Sequence, residues 1–470
     1  MLKKNASALN LTEGSIAKKI LVFAIPILLG NMLQECYHLA DTLVVGRTLG
    51  VHSLAAVGTC GPLVFFVMGF IMGLTGGCAV ITAQRFGAND EFGVKQSIAA
   101  HIVIGFMTTL VLTVFFVWVS PSLLNILHVP EVIYHDAYIY LVILYAGMFA
   151  AVIYNLFSSS LRSIGDSRTP LMFLIFSSLL NIVLDLFFIL FCGWGIVGAA
   201  SATVLSQLIS GLLCWAFAAK CFPMFIPHKD CWRNLGSMIK EELKVGVPMG
   251  FQFSFVALGM IVLQSVLNNF GANAIAAFTV GSRVQFMLNN PIASMSIIMA
   301  TFVGQNYGAR KFRRIKTGVN KCLAFAVGLS ICMGITAILF SDNIIAFFIG
   351  SEEPEVLAMA NEFIDWVCPL TWALAFLFVC RGALQGLGDG VTPMIGSIAE
   401  LVMRSGIPLI FAPKWGFASI CVAGPAAWLS CGSLMTAVYF YKLGRMRREA
   451  LHALRSRYSS IDQAEAYNKA

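Results

Sequence analysis

The sequence predicts an all-α polytopic membrane protein. Twelve transmembrane helices fall into two six-helix lobes, related by a pseudo-two-fold axis along the membrane normal. Three observations carry this. Of the 470 residues, 58% are hydrophobic and 11% charged, and mean hydropathy is +0.82; soluble domains run near ~25% charged. The apolar segments are helix-length, unlike the ~10-residue alternating strands of a membrane barrel. The chain also repeats itself.

Stretches of about 20 apolar residues bounded by polar clusters give spans near 16–46, 52–83, 96–120, 132–160, 169–191, 196–220, 243–270, 273–304, 316–340, 356–384, 392–412 and 417–442. The first run begins near Ile20 and passes Val45, too long for a signal-peptide core and without a small-residue cleavage pattern. The first span is therefore expected to direct membrane insertion. Placing the N-terminus in the cytoplasm puts 27 of the 31 Lys and Arg residues on that side, Arg381 among them. Only Arg47 and Lys414 fall outside, and Arg283 and Arg404 lie within spans. That asymmetry follows the positive-inside rule and places both termini in the cytoplasm. The acidic SEEPE (351–355) then falls outside. The thirteen cysteines form no CxxC and read as small buried hydrophobes.

The repeat fixes the halves. AQRFGAND (83–90) returns as GQNYGARK (304–311), and LGVHSLAAVG (49–58) as FGANAIAAFT (270–279). LRSIGDSRTP (161–170) returns as LQGLGDGVTP (384–393), and FAIP (23–26) as VGVP (245–248). Matches in one order at nearly one offset indicate duplication. Six spans is an even number, so both halves enter the membrane in the same orientation, with a cleft between them. The expected division is an N-lobe (1–220), a cytoplasmic linker (221–240), a C-lobe (241–445) and a basic then polar tail (446–470) against the inner leaflet.

Ionisable residues inside spans are costly and mark functional sites by default. LLNIVLDLFFILF (179–191) carries Asn181 and Asp185 four apart, on one helix face. In span 1, Gln34, Tyr37, His38 and Asp41 recur at i, i+3, i+4 and i+7, one stripe. Asp41 and Asp185 fall at similar depth in the outer half of the bilayer. Facing one cavity, the two acids could share a proton, or hold Na+ with Asn181 and Thr203 as neutral oxygen donors. The competing reading has Asp41 capping span 1 and Asp185 held by a structural hydrogen bond. Pro26 frees a backbone carbonyl in span 1 and makes either a hinge or a fixed bend. His38 is either a proton relay or a packed residue, and Glu35 pairs with it or faces another span.

In the second half, Glu400 and Arg404 are four apart and read as an intrahelical ion pair. The alternative puts Glu400, Arg404 and Arg283 in a substrate cleft, with Phe251 and Phe255 as aromatic walls. GWGIVG (193–198) is a turn between spans and no nucleotide site, since no βαβ unit surrounds it. Gly69, Gly73 and Gly77 form a helix-packing face. No GxSxG, HExxH or Walker A motif occurs, and an enzyme is not expected.

LTEGSIAKKILVFAIPILLGNMLQECYHLADTLVVGRTLGVHSLAAVG (11–58), GFIMGLTGGCAVITAQRFGA (69–88) and GDSRTP (165–170), with their second-half copies, resemble the MATE family, the multidrug and toxic compound extrusion transporters. The resemblance covers about residues 11–445. It implies two six-helix lobes and secondary active export of amphipathic, often cationic molecules in antiport with H+ or Na+, by alternating access. Within the family the chain resembles the bacterial, DinF-like branch with its cation site in the N-lobe. Pro26, Gln34, Tyr37, Asp41, Asn181, Asp185 and Thr203 match that branch's residues. VPMGFQFSFVALG (247–259) lacks the span 7 acid of the other bacterial branch. The resemblance implies a bacterial inner-membrane monomer with drugs or toxins, the coupling ion and lipids as partners. It implies no cofactor and no nucleic acid. A flippase for lipid-linked precursors is the alternative of related architecture; it calls for a strongly cationic cleft.

Overall fold

Backbone polar groups in hydrocarbon must be satisfied within the segment, so apolar runs of this length become helices. The computed structural model describes residues 9–127, 129–349 and 354–467. The spans are Ile16–Thr48 (span 1), Val51–Gly87 (span 2), Glu91–Ile126 (span 3), Glu131–Ala146 with Met148–Ser163 (span 4), Arg168–Phe191 (span 5) and Gly195–Cys221 (span 6). The second half has Leu235–Phe270 (span 7), Ala272–Gly308 (span 8), Phe312–Leu339 (span 9), Pro354–Leu370 with Trp372–Gly386 (span 10), Val391–Trp415 (span 11) and, from Ala418, span 12. Spans 4 and 10 are bent pairs, by 45° and 51°. They occupy the same place in each half, as duplication requires.

Three expectations change. Span 7 starts at Leu235, not near 243, and takes in part of the expected linker. Its first turns are amphipathic: Met238, Glu242 and Val245 are buried while Lys240 and Lys244 are exposed, so a hydropathy boundary halts too late. Span 12 continues as one helix to Tyr467, beyond 446. Arg381, counted on the cytoplasmic side, is buried inside span 10. Of SEEPE (351–355), residues 351–353 lie outside the described residues; Glu355 accepts from Asn273 Nδ2 at 2.7 Å.

The repeated motifs prove to be repeated contacts. A Cβ on Gly87 would collide with the backbone of Gln305, and one on Gly308 with the backbone of Gln84. Each pair is the other shifted by one repeat, so spans 2 and 8 cross closely about the pseudo-two-fold. The GD turns before spans 5 and 11 are also twins. Gly165 (φ 90°) and Gly388 (φ 82°) are left-handed, a conformation open to glycine. The following aspartate then caps the next helix. Asp166 Oδ1 accepts from Thr169 N at 3.1 Å, and Asp389 Oδ1 from Thr392 N at 3.0 Å. Burial works against the charge on Asp389, but bonds from Lys442 (2.6 Å) and Thr392 outweigh it and hold the carboxyl below its usual range.

The halves join at the end that carries the basic loops. The glycine face of span 2 packs on span 7, where Gly77 meets Gly246 and Gly73 meets Met249. Arg85 pairs with Glu241 at 2.7 Å, Gln84 Nε2 donates to Gly386 O at 2.9 Å, and Gln305 Nε2 donates to Ser163 O at 2.8 Å. Asn31 Nδ2 donates to Ser294 Oγ at 2.8 Å about halfway along spans 1 and 8. Among the described residues no hydrogen bond or ion pair crosses between the halves nearer the opposite end. The polar contacts between the halves are therefore concentrated at the basic end.

The segment before span 1 straps this closed end. Leu11 is buried; its N–H donates to Gln305 Oε1 at 3.0 Å. Arg314 donates to the carbonyls of Leu11, Glu13 and Gly14 at 3.1, 2.9 and 2.7 Å. Leu9 packs on Gly165 of the first half, so the strap touches both halves. Replacing Arg314 with Ala removes three charge-assisted bonds, two of them at exposed carbonyls where water weakens each one. The amides of residues 11–14 should then exchange with deuterium roughly five-fold faster or more, while span 5 keeps its protection. Unchanged exchange at 11–14 would show that the strap is held otherwise.

Candidate functional site

Span 1 runs as one helix through Pro26, whose missing N–H leaves the Val22 carbonyl without its usual donor. Fifteen residues further on, Asp41 points into the first bundle. There its carboxyl comes within hydrogen-bond reach of the Asp185 carboxyl from span 5. Asp185 and Asn181 are both fully buried. With the Asn181 amide nitrogen facing Asp185, Nδ2 donates to Asp185 Oδ2 at 2.8 Å and the amide oxygen accepts from Thr203 N at 3.2 Å. The Tyr37 hydroxyl reaches the Thr203 side chain, and the buried Tyr140 of span 4 lies in the neighbourhood of Asp41, Tyr37 and Asp185.

One oxygen of each acid, Asp41 Oδ1 and Asp185 Oδ1, is buried with no donor. Two carboxylates this close, in a medium of low dielectric, repel unless a proton or cation lies between them. The helix also changes just here: Phe187–Phe191 is π-helical, directly after Asp185. Such turns widen a helix by a residue and recur at functional sites.

The structure thus gathers Asp41, Asp185, Asn181, Thr203 and Tyr37 in one place. Gln34 is half-buried on the same helix and makes no hydrogen bond to them. His38 is exposed, its ring tilted on Tyr37 at 5.1 Å. Glu35 forms no ion pair with His38 among the described residues, a correction: the two point to different surroundings, Glu35 being half-buried and His38 exposed. Tyr140 was missed, because nothing in HDAYIYLVILY (135–145) distinguishes one tyrosine from another.

The second-half charges behave differently. Glu400 Oε1 accepts from Arg404 at 2.7 Å and Oε2 from Arg381 at 3.2 Å. All three side chains are buried and paired with one another, and the Glu400–Arg404 contact is the intrahelical ion pair that the four-residue spacing predicts. Removing three formal charges from water is repaid only by this mutual pairing. Arg283 stays exposed. Phe251 stacks on Phe255 at 6.4 Å and meets Phe70 of span 2 edge-on at 5.3 Å, at the junction of the halves.

A twelve-helix bundle of two like halves, joined at one end and holding a buried acid pair, is the architecture of a membrane transporter, and comparison with known proteins agrees. The chain belongs to the MATE family: the MatE family profile matches residues 26–187 and 248–410, once in each half. It is 28% identical over 445 residues to "Probable multidrug resistance protein YpnP" of Bacillus subtilis (strain 168), covering 94% of this chain and 98% of that protein. It is 31% identical over 359 residues to "Probable multidrug resistance protein YoeA" of the same organism, covering 74% and 76%. The solved structure "Crystal structure of MATE in the straight conformation" superposes with a TM-score of 0.86 at 25% identity, over 95% of this chain and 100% of that one.

Because Glu400 holds two buried guanidiniums, Glu400→Ala should cost about 3–5 kcal/mol of stability. Glu400→Gln, which keeps an acceptor, should cost less. Thermal unfolding in detergent measures both; equal small losses would mean the cluster is hydrated.

Proposed function

We propose that this chain is a secondary active multidrug exporter that antiports amphipathic, often cationic compounds against an inward-moving cation. It works in a bacterial plasma membrane, with both termini and the basic loops in the cytoplasm. The basic end is then the cytoplasmic gate, and the cleft faces outward. The observation that carries the reading is the Asp41–Asp185 pair, with an oxygen on each acid left without a donor. Its spacing suits a shared proton, since mutual hydrogen-bond reach between carboxyls needs one. Na+ is the second reading, with Asp41, Asp185, Asn181 and Thr203 as oxygen ligands.

The cycle follows from charge. With the cleft facing out, a proton enters between the two carboxylates and halves their charge, and spans 1, 5 and 6 can pack with the acids held together instead of repelling. Repacking of span 1 about Pro26 alters the wall against which substrate binds, and substrate leaves outward. Once the cytoplasmic gate opens, the proton escapes into the more alkaline compartment, and the recharged pair favours substrate again. One proton moving inward at 100 mV supplies ~2.3 kcal/mol, enough for a roughly fifty-fold gradient of a neutral substrate, whereas exchange for one monovalent cation is electroneutral and draws on the pH difference alone. A lipid-precursor flippase fits less well: Arg381 and Arg404 are tied to Glu400 inside the bundle, which leaves Arg283 for an anionic headgroup.

The test is uptake of a lipophilic cation such as tetraphenylphosphonium into inverted proteoliposomes, with H+ and Na+ gradients imposed separately. A proton gradient should drive wild-type transport, and Asp41→Asn and Asp185→Asn should each abolish the coupled part. Variants that insert normally and transport as well as the parent would end the proposal. Transport driven by Na+ alone would select the second reading.

A further inference from the structure

The acid pair is not the only carboxyl that the fold buries without a counter-charge. Glu242 is fully buried near the start of span 7, in the surface that the second half presses on the first. Its Oε1 accepts from Ser97 Oγ of span 3 at 2.6 Å, and Ser97 Oγ lies 2.8 Å from Thr82 Oγ1 of span 2. Oε2 has no aligned donor; the Cys78 thiol of span 2 lies beside the carboxyl.

The charges around it give no relief. Glu241 is a like charge and is occupied by Arg85 at 2.7 Å. Lys240 and Lys244 lie on the exposed side of the same helix. On span 3, His101 is one turn past Ser97 and bonds Ser160 Oγ at 3.3 Å. Before span 11, Asp389 is held by Lys442 at 2.6 Å. Among the described residues no Lys, Arg or His pairs with Glu242. The repeat sharpens the point. Pro248 corresponds to Pro26, so Glu242 corresponds to Ile20, a buried hydrocarbon. The packing position itself does not demand an acid.

We infer that Glu242 is a second protonation site, which takes up a proton from the basic-loop side each time that end of the cleft closes. A carboxylate sealed there would keep one oxygen unpaired with no cation near it, a state that folded proteins avoid by neutralising the group. As the neutral acid it accepts from Ser97 and keeps its proton on the oxygen beside Cys78. When the halves part, water reaches Glu242 and the proton is lost to the same side. This proton is borrowed and returned in one compartment. It moves no substrate, but it makes closure depend on the pH of that compartment. The inference rests on the alternating-access reading above and not on the role of the acid pair.

The closed state holds one more proton than the open state, so raising the pH shifts the closed-to-open ratio down by up to about ten-fold per pH unit. Spin labels at Lys220→Cys and Lys316→Cys, exposed on the two halves at the basic end, report the ratio as distance populations in a Cys36→Ser, Cys332→Ser background. Between pH 6 and 8.5 the wild type should shift toward the longer distance. Glu242→Gln should stay closed throughout, and an Asp41→Asn, Asp185→Asn double variant should still respond. Should Glu242→Gln fail to insert, Glu242→Met gives the same flat response. Infrared difference spectra of the double variant supply an independent readout, a protonated-carboxyl band lost as the pH rises. A wild-type response in the Glu242 variants, or its loss only in the double variant, would overturn the inference. So would the absence of that band.

Discussion

Two carboxyl groups within hydrogen-bond reach of each other, inside a helical bundle, form a constraint that the rest of the first half has to satisfy. Asp41 and Asp185 come from helices far apart in sequence, and each keeps a buried oxygen without a donor. Everything around them supports the geometry without discharging it. Asn181 donates to one oxygen and is itself fixed by Thr203, while Tyr37 and Tyr140 lie in the neighbourhood. Surroundings that supplied a lysine or arginine would have made a stable ion pair and an inert one. Among the described residues no lysine or arginine pairs with either acid, so the pair has no built-in counter-charge.

The second half meets the same problem with the opposite outcome. Arg381, Glu400 and Arg404 are buried together, but each acid oxygen has its own guanidinium, so the cluster braces spans 10 and 11. Duplication thus produced one bundle with a charge deficit and one with internal pairing. Between them, the glycine-lined crossing of spans 2 and 8 and the packing of span 2 on span 7 set how closely the halves approach at the basic end. The strap of residues 9–14 ties that closure to span 1, which also carries Asp41 and Pro26. One continuous helix, Ile16–Thr48, therefore runs from the strap to the acid pair.

Much of this was legible in the sequence because membrane physics writes large signals. Helix-length apolar runs located every span, though they began span 7 too late and ended span 12 too early, and the repeat marked out the halves. A four-residue spacing put Asn181 beside Asp185. What the sequence hid depended on neighbours distant in the chain. Glu242 sat among charges that suggest a surface loop, yet the same charges form the wet side of an amphipathic helix whose dry side meets span 3. Arg381 looked like a cytoplasmic anchor until Glu400, nineteen residues on, folded against it. The matched GD and FGA motifs looked like family signatures. Their cause is steric and local: a left-handed glycine with an aspartate cap, and a backbone crossing that admits no side chain.

The central claim is that one ion bridges the two proposed coupling acids and that substrate and ion exclude each other. Proton release on substrate binding tests it most directly. Detergent-solubilised protein in weak buffer with a pH-sensitive dye is titrated with tetraphenylphosphonium. The account predicts about one proton released per cation bound by the wild type, and none by Asp41→Asn or Asp185→Asn. Undiminished release from both variants, or binding without release in the wild type, would contradict it.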